Sequence, residues 1–471
     1  MEDNYYSLFD VTKESLYQLI KIALSKGGDY ADIFFEHSIA NEISLRDNQV
    51  NSAGNHIDFG VGIRVLCGDQ TGYAYSESTN IKEMESAALM AAQIAESRTS
   101  FNHTLKINPI KFKNRYPILN QWEDYSITKK TTFLQQLNQS IFDADSRVDK
   151  VIEQLSDSNT KIMFFNSLGD FFCDERPLAS AVVSCVMKQG SRIETSSSSR
   201  SYRMGSEMLT ENLVKEMVDE VIKNTSILFK AKQPKGGVLP VIMGAGGSGI
   251  LLHEAIGHAF EADFNRKKTS IFSDRLGEKI CKEIINVVDD GTITGNRGAL
   301  NIDDEGIPGQ KTYIVKNGIL NSYLHDRISA KYYRVHPTGN GRRESFRFSP
   351  IPRMRATYME NGNSTENDII KSVKKGIYVD NFSNGQVQIG AGDFTFYVKS
   401  GFLVENGKLT YPIKDINIIG NGPETLLNIE EVAGNNLIDN GTWTCGKNQY
   451  CNVSCGMPTI LVKHLTVGGC N

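Results

Sequence analysis

No stretch of this 471-residue sequence is long and apolar enough to cross a membrane as a helix. The longest apolar runs, such as Ile242 to Leu252, are short and rich in glycine, far from the roughly 20 residues a spanning helix requires. A Lys/Arg-rich tail is missing from both ends, and a net charge of -4 supplies no concentrated basic face, so nucleic-acid binding is not expected. Met1 to Asp10 are acidic and aromatic where a secretory signal would place basic residues before an apolar run, which points to a cytoplasmic protein. Cysteine is sparse, with eight residues in the chain, and a disulfide framework is not expected. Four of them, Cys445, Cys451, Cys455 and Cys470, nevertheless crowd into the last 27 residues. Histidine is equally scarce: of eight, two fall within six residues, His253 and His258.

Hydrophobic residues at 40% and charged residues at 23% describe a soluble globular chain. Its length suggests two domains, each with its own core. Leu16, Leu19, Ile20, Ala23 and Leu24 follow the three-four spacing of an amphipathic helix over Glu14 to Lys26, ending at Gly27-Gly28. Ala31 to His37, Glu42 to Leu45, Phe59 to Leu66 and Thr71 to Tyr75 read as strands, with a turn at Cys67-Gly68-Asp69. Lys82 to Ser97, Thr128 to Asp143 and Leu213 to Asn224 are helical patterns. Between the last two, Ile162 to Phe165, Phe171 to Cys173 and Ala181 to Met187 alternate as strands. Helices flanking a strand meander predict an α+β fold with an antiparallel sheet, since parallel crossovers would need a helix after each strand. The serines from Ser196 to Ser199 read as a flexible polar loop. Lys230 to Gly237 reads as a linker, giving an N-terminal α+β domain over 1–235 and a β-rich domain over 236–471. The second is expected to be a strongly bent antiparallel sheet or partial barrel with one helix packed on it.

That helix carries the chemistry. From Gly246 to His258 the chain reads GGSGILLHEAIGH, two imidazoles bracketing a carboxylate after a glycine-rich turn. Imidazole is a common zinc ligand, and a glutamate beside the first ligand can take a proton from metal-bound water, as in HExxH peptidases. Here the spacing is one residue longer. Five steps of a regular α-helix turn about 500°, leaving the histidines roughly 140° apart, against about 40° for four steps. A π-bulge would realign them, and Gly257 tolerates such a distortion. The plainer alternative is a helix with two polar faces. Against it stand the apolar neighbours Ile250, Leu251, Leu252, Ala255, Ile256, Ala259 and Phe260, which predict a buried helix where unpaired histidines would be costly.

The run from His253 to Phe264, then Asp303-Asp304-Glu305-Gly306, Pro337 to Ser345 leading into Pro352-Arg353-Met354, Gly420 to Pro423, and Cys445-Gly446-Lys447 together resemble the TldD/PmbA family, once named modulators of DNA gyrase. The intact histidine motif resembles the TldD branch, because the PmbA (TldE) branch typically lacks it. The resemblance implies a zinc metallopeptidase in which His253, His258 and a distant cysteine, by position Cys445, hold Zn²⁺. It implies Glu254 as general base and acid, unfolded or short peptides as substrates, and a complex with a TldE/PmbA-type partner or a second copy of the chain. Without the resemblance, Cys445 reads as a buried free thiol. Cys451 and Cys455 read as packing residues, since their spacing lacks a paired C-x-x-C form. Arg342 and Arg343, in a glycine-rich loop, either clamp a peptide carboxylate or carbonyl, or form a salt-bridged turn with Asp303, Asp304 or Glu305. Glu261 and Asp263 are alternative third ligands, but on this helix they read rather as orienting the histidines or capping the next loop. A non-catalytic adaptor or gyrase modulator, and a metal-dependent amidase on small molecules, are the rival readings.

Overall fold

The computed structural model describes residues 2–95 and 105–469. Cys470 lies outside the described residues, and the helix expected over Lys82 to Ser97 ends earlier, at Ala92, with Gln93 as its cap. After α1 (Glu2–Leu8), Thr12 and Ser15 cap α2 (Lys13–Ala23) reciprocally, and Leu16, Leu19, Ile20 and Ala23 form its buried face. The two strands read from Ala31 to Leu45 are one, β1 (Tyr30–Arg46). The polar residues between them do not break it, because they find partners across the sheet: Ser38 with Thr160 at 2.8 Å and Asn41 with Asp157 at 2.9 Å.

β1 lies between β2 (Gln49–Cys67) and β5 (Val148–Asn166), with β3 (Gln70–Ser76) beyond β2. On the other side follow β6 (Asp170–Gln189) and β7 (Arg192–Tyr202), and the short β4 (Asn108–Pro109) joins β6 in parallel. The turn between β2 and β3 is the one expected: Gly68 takes a φ of +59° and Cys67 pairs with Gln70. The expectation of a flexible loop at Ser196 to Ser199 is corrected. These residues lie in β7, paired with Cys185 to Val182, and Ser198 donates to Glu220 at 2.8 Å. Hydroxyls that look loop-like in sequence serve well in a strand whose neighbours supply acceptors.

α2 and α3 (Ile81–Ala92) pack with β1 and β2 around Phe35, Val61 and Ile63. α4 (Ile127–Ala144) and α5 (Glu211–Leu228) pack with β5 and β6. α5 buries Leu213, Met217 and Val221, each side chain contributing about 1.5–3 kcal/mol of apolar burial.

Beyond residue 236, β8 (Gly237–Met243), Lys375–Val387, Asp393–Glu405, Ile416–Asn421 and Ile460–Val467 close on one another as a partial barrel. The sheet expected to be wholly antiparallel contains a parallel pair, β8 with Lys375–Val387. More than 100 residues separate these two strands, so no hairpin constrains their direction. The apolar helical segment from Ile250 to Phe260 shares a core with Val241, Met243, Val379, Phe396 and Ile460.

Buried charges join the two halves. Arg64 on β2 is fully buried, paired with Asp32 of β1 and with Glu305 at 2.7 Å. Arg176 on β6 bridges Asp174 at 2.8 Å and Asp304 at 2.6 Å. These pairs fix the Asp303-Asp304-Glu305 run against the first sheet. Removing one member would strand the other in a low-dielectric interior.

Candidate metal centre

The chain leaves β8 through a glycine-rich turn into an α-helical turn, Gly249–Leu252, and then changes pitch. His253 to Gly257 form a π-turn in which the His258 amide donates to the His253 carbonyl, five residues back, before a 3₁₀ turn over His258–Phe260. The extra residue closes the angular gap that an α-helix would leave, and the two imidazole centroids stand 5.0 Å apart, nearly perpendicular. Gly257 has ordinary helical backbone angles; its role is space. A Cβ there would lie 2.5 Å from the Met354 sulfur.

A two-stranded hairpin from the far end of the chain, Thr444–Gly446 with Tyr450–Asn452, brings up the third donor. Cys445 Sγ lies 3.2 Å from His258 Nε2, and one ligand atom from each of His253, His258 and Cys445 falls within 4.8 Å of the others. All three side chains are buried. Cys451 pairs with Cys445 across the hairpin but stands outside this cluster, as does Cys455.

Around the cluster a set of charges fixes His258. Its Nδ1 meets Glu261 Oε2 at 2.9 Å, and Lys447 Nζ approaches the same oxygen at 3.1 Å while pairing with Asp263 at 2.7 Å. Arg353 donates to the Cys445 carbonyl at 2.6 Å. Burial opposes charge on His258, yet Glu261 and Cys445 outweigh it and raise the imidazole well above its usual range. Burial also opposes the Cys445 thiolate, and His253 and His258 outweigh it, bringing the thiol down to about 4. Glu261 is raised by burial but lowered further by Lys447 and His258, to about 2. The cluster thus favours a thiolate beside a protonated imidazole, a pair from which a divalent cation displaces only the proton.

The donor set fits a zinc ion. Two imidazoles and one thiolate are ligands zinc prefers, and three protein ligands leave a position open for substrate or water. His253 Nδ1 is buried without a hydrogen-bond partner. Glu254 is half-buried in the first turn of the π-segment and makes no hydrogen bond or ion pair among the described residues.

Arg342 and Arg343 are both buried, at 5% and 6% exposure, and neither hydrogen-bonds to the cluster. Arg343 lies 3.5 Å from Asp32 and donates to the Asp304 carbonyl at 3.1 Å; Arg342 donates to the carbonyls of Met354 and Asn452. Lys447 and Arg353 were not identified from the residues as contributors. Their signal was only their position within the Pro352-Arg353-Met354 and Cys445-Gly446-Lys447 motifs.

Comparison with known proteins agrees over the whole length. Residues 31–95, 120–229 and 236–469 match the PmbA/TldA metallopeptidase domain 1, central domain and C-terminal domain. The chain is 35% identical to the metalloprotease TldD homolog of Haemophilus influenzae, over 98% of this chain and 97% of the relative. It is 27% identical to the zinc metalloprotease TldD homolog of Saccharolobus solfataricus, over 96% and 100%. In fold it is similar to a modulator of a DNA gyrase from Thermotoga maritima, with a TM-score of 0.79, 20% identity and coverage of 97% and 100%. TldE from Thermococcus kodakarensis has a TM-score of 0.75, with 21% identity and coverage of 97% and 100%. The motifs, the matched domains and the full-length relatives agree: the chain belongs to the PmbA/TldD metallopeptidase family, on its TldD side.

Proposed function

We propose that this protein is a zinc-dependent peptidase acting on unfolded or short peptides, with His253, His258 and Cys445 as metal ligands and Glu254 as general base and acid. The observation that carries the reading is the π-turn, which sets two imidazoles beside a thiolate brought from the opposite end of the chain. A name borne by one relative, zinc metalloprotease, agrees with the metal. Zinc, when bound, supplies Lewis-acid polarisation of the scissile carbonyl and acidifies water.

The chain's own residues do the rest. Glu254, free of competing partners, takes a proton from the attacking water and returns it to the leaving amine. Glu261 holds His258 by its Nδ1 so that Nε2 faces Cys445. Arg342 and Arg343 are the proposed substrate contacts. Strand edges in a domain rich in sheet suit extended main chain, which favours unstructured substrates over particular side chains. The reading treats 1–235 and 236–471 as separate domains of a cytoplasmic protein that works with a TldE-type subunit or a second copy of itself. Among the described residues no helix is long and apolar enough to cross a membrane.

The test is zinc content and cleavage of an unstructured peptide, measured on wild type and Glu254→Gln. The expected result is equal zinc and a loss of at least about a hundredfold in kcat/KM for the variant. Equal cleavage by both proteins refutes the mechanism.

A further inference from the structure

Four arginines gather where the first sheet meets the hairpin that carries Cys445, around a cavity of about 280 Å³. Two of them are neutralised: Arg176 by Asp174 and Asp304, and Arg343 by Asp32 nearby. The other two, Arg203 and Arg342, are each 5% exposed and have no carboxylate within ion-pairing distance among the described residues. Arg203 donates to the carbonyls of Arg297 and Pro177, and Arg342 to those of Met354 and Asn452.

Arg297, also 5% exposed, is held among the described residues by neutral groups: Ser201 at 2.6 Å, Asn452 at 2.6 Å, the Trp443 carbonyl at 2.9 Å, Thr444 at 3.1 Å and Ser180 at 3.4 Å. Burial pushes Arg203 down to about 10 and Arg297 to about 9, and Arg342 repels both. A protein interior seldom keeps charges of one sign together without a counterion, because desolvation is then uncompensated. Asp304 and Glu36 line the same cavity, yet Arg203 and Arg342 are left without a direct ion pair among the described residues.

The wall also carries the carboxylates of Glu36, Asp304 and Glu344; it is apolar at Phe34 and Leu178, and Tyr450, 65% exposed, stands at the edge. Thr444 and Cys451 line the cavity, and Cys445 sits between them in the hairpin pairing. We infer that this cavity binds a carboxylate carried by the peptide substrate, gripped by Arg203 and Arg342, with apolar atoms of the same residue against Phe34 and Leu178. The identity of the ligand as a peptide rests on the peptidase reading; the burial of Arg203 and Arg342 without an ion pair among the described residues does not. Guanidinium groups suit the planar carboxylate, and the cavity is large enough for one residue and little more. The bound carboxylate would anchor the substrate on the hairpin that presents the sulfur.

The test uses the full-length Glu254→Gln protein loaded with zinc, so that binding is read without turnover. Three forms of one short unstructured peptide are titrated by calorimetry: a free C-terminal carboxylate without acidic side chains, the C-terminal amide, and the amide ending in glutamate. At least one carboxylate-bearing form is expected to bind about ten- to a hundredfold more tightly than the neutral amide. Which form does so identifies the group as chain terminus or side chain. Adding Arg342→Gln is expected to bring the three forms to similar affinity. Equal affinity of the three forms for the parent protein, or no measurable binding by any of them, overturns the inference without reliance on the arginine variant. Wild-type protein that cleaves no peptide while the carboxylate preference persists would sink the peptidase reading alone.

Discussion

Replacing Glu261 by glutamine isolates what the charge behind His258 does. Glu261 is fully buried, 2.9 Å from His258 Nδ1, 3.1 Å from Lys447 Nζ and 3.9 Å from Arg353 Nε. Glutamine keeps an oxygen that can accept from Nδ1–H but removes the charge that makes the imidazole a stronger donor to a metal. Losing such a partner typically costs 10- to 100-fold in metal affinity, about 1.4–2.7 kcal/mol. Lys447 remains satisfied by Asp263 at 2.7 Å and the Pro352 carbonyl at 3.0 Å, so the metal-free fold should lose no more than about 1–3 kcal/mol. Competition with a chromophoric chelator reads the zinc affinity, and thermal melting of the metal-free proteins reads the fold. Asp263→Asn serves as a control, since it touches Lys447 but not His258. Zinc affinity within about twofold of wild type in a folded Glu261→Gln protein would refute the idea that this carboxylate tunes the cluster.

Three further outcomes are expected. Cys445→Ser should lose bound zinc while Cys451→Ser keeps it, by metal analysis after gel filtration; the reverse result would move the third ligand across the hairpin. Gly257→Ala should destabilise the protein by about 1–3 kcal/mol and weaken zinc binding, because its Cβ meets the Met354 sulfur. The double variant Gly257→Ala/Met354→Ala should recover part of the zinc binding, and no recovery would argue that backbone rather than crowding limits this position. Glu36, facing the second half of the chain through the Phe346 amide at 2.7 Å, is pushed by burial from 4.5 up to about 7. A carboxyl raised on folding contributes stability that is complete below pH 4.5 and is lost as pH rises through about 7, roughly 3 kcal/mol by pH 8. Glu36→Gln should flatten that slope in urea unfolding at pH 5 and pH 8, and an unchanged slope would show that another group carries it.

Much of this protein was legible in residue order alone. The three-four apolar spacing of α2 and of the helix before His253 reports burial over neighbouring residues, which is local information. The five-residue interval between His253 and His258 even specified its own solution, since only an inserted residue lets one helix aim both rings at one point. Tertiary structure decided what local pattern does not encode. Cys445 meets His258 across 187 positions, and no periodicity links them. β1 runs unbroken through polar residues because partners on β5 satisfy them, and Ser196 to Ser199 form a strand for the same reason. The parallel pairing that closes the barrel, and the burial of Arg203, Arg297 and Arg342 without an ion pair among the described residues, depend on which distant surfaces come together. A sequence fixes each segment's preference for water or for the interior. Which segments face one another depends on the packing of the whole chain.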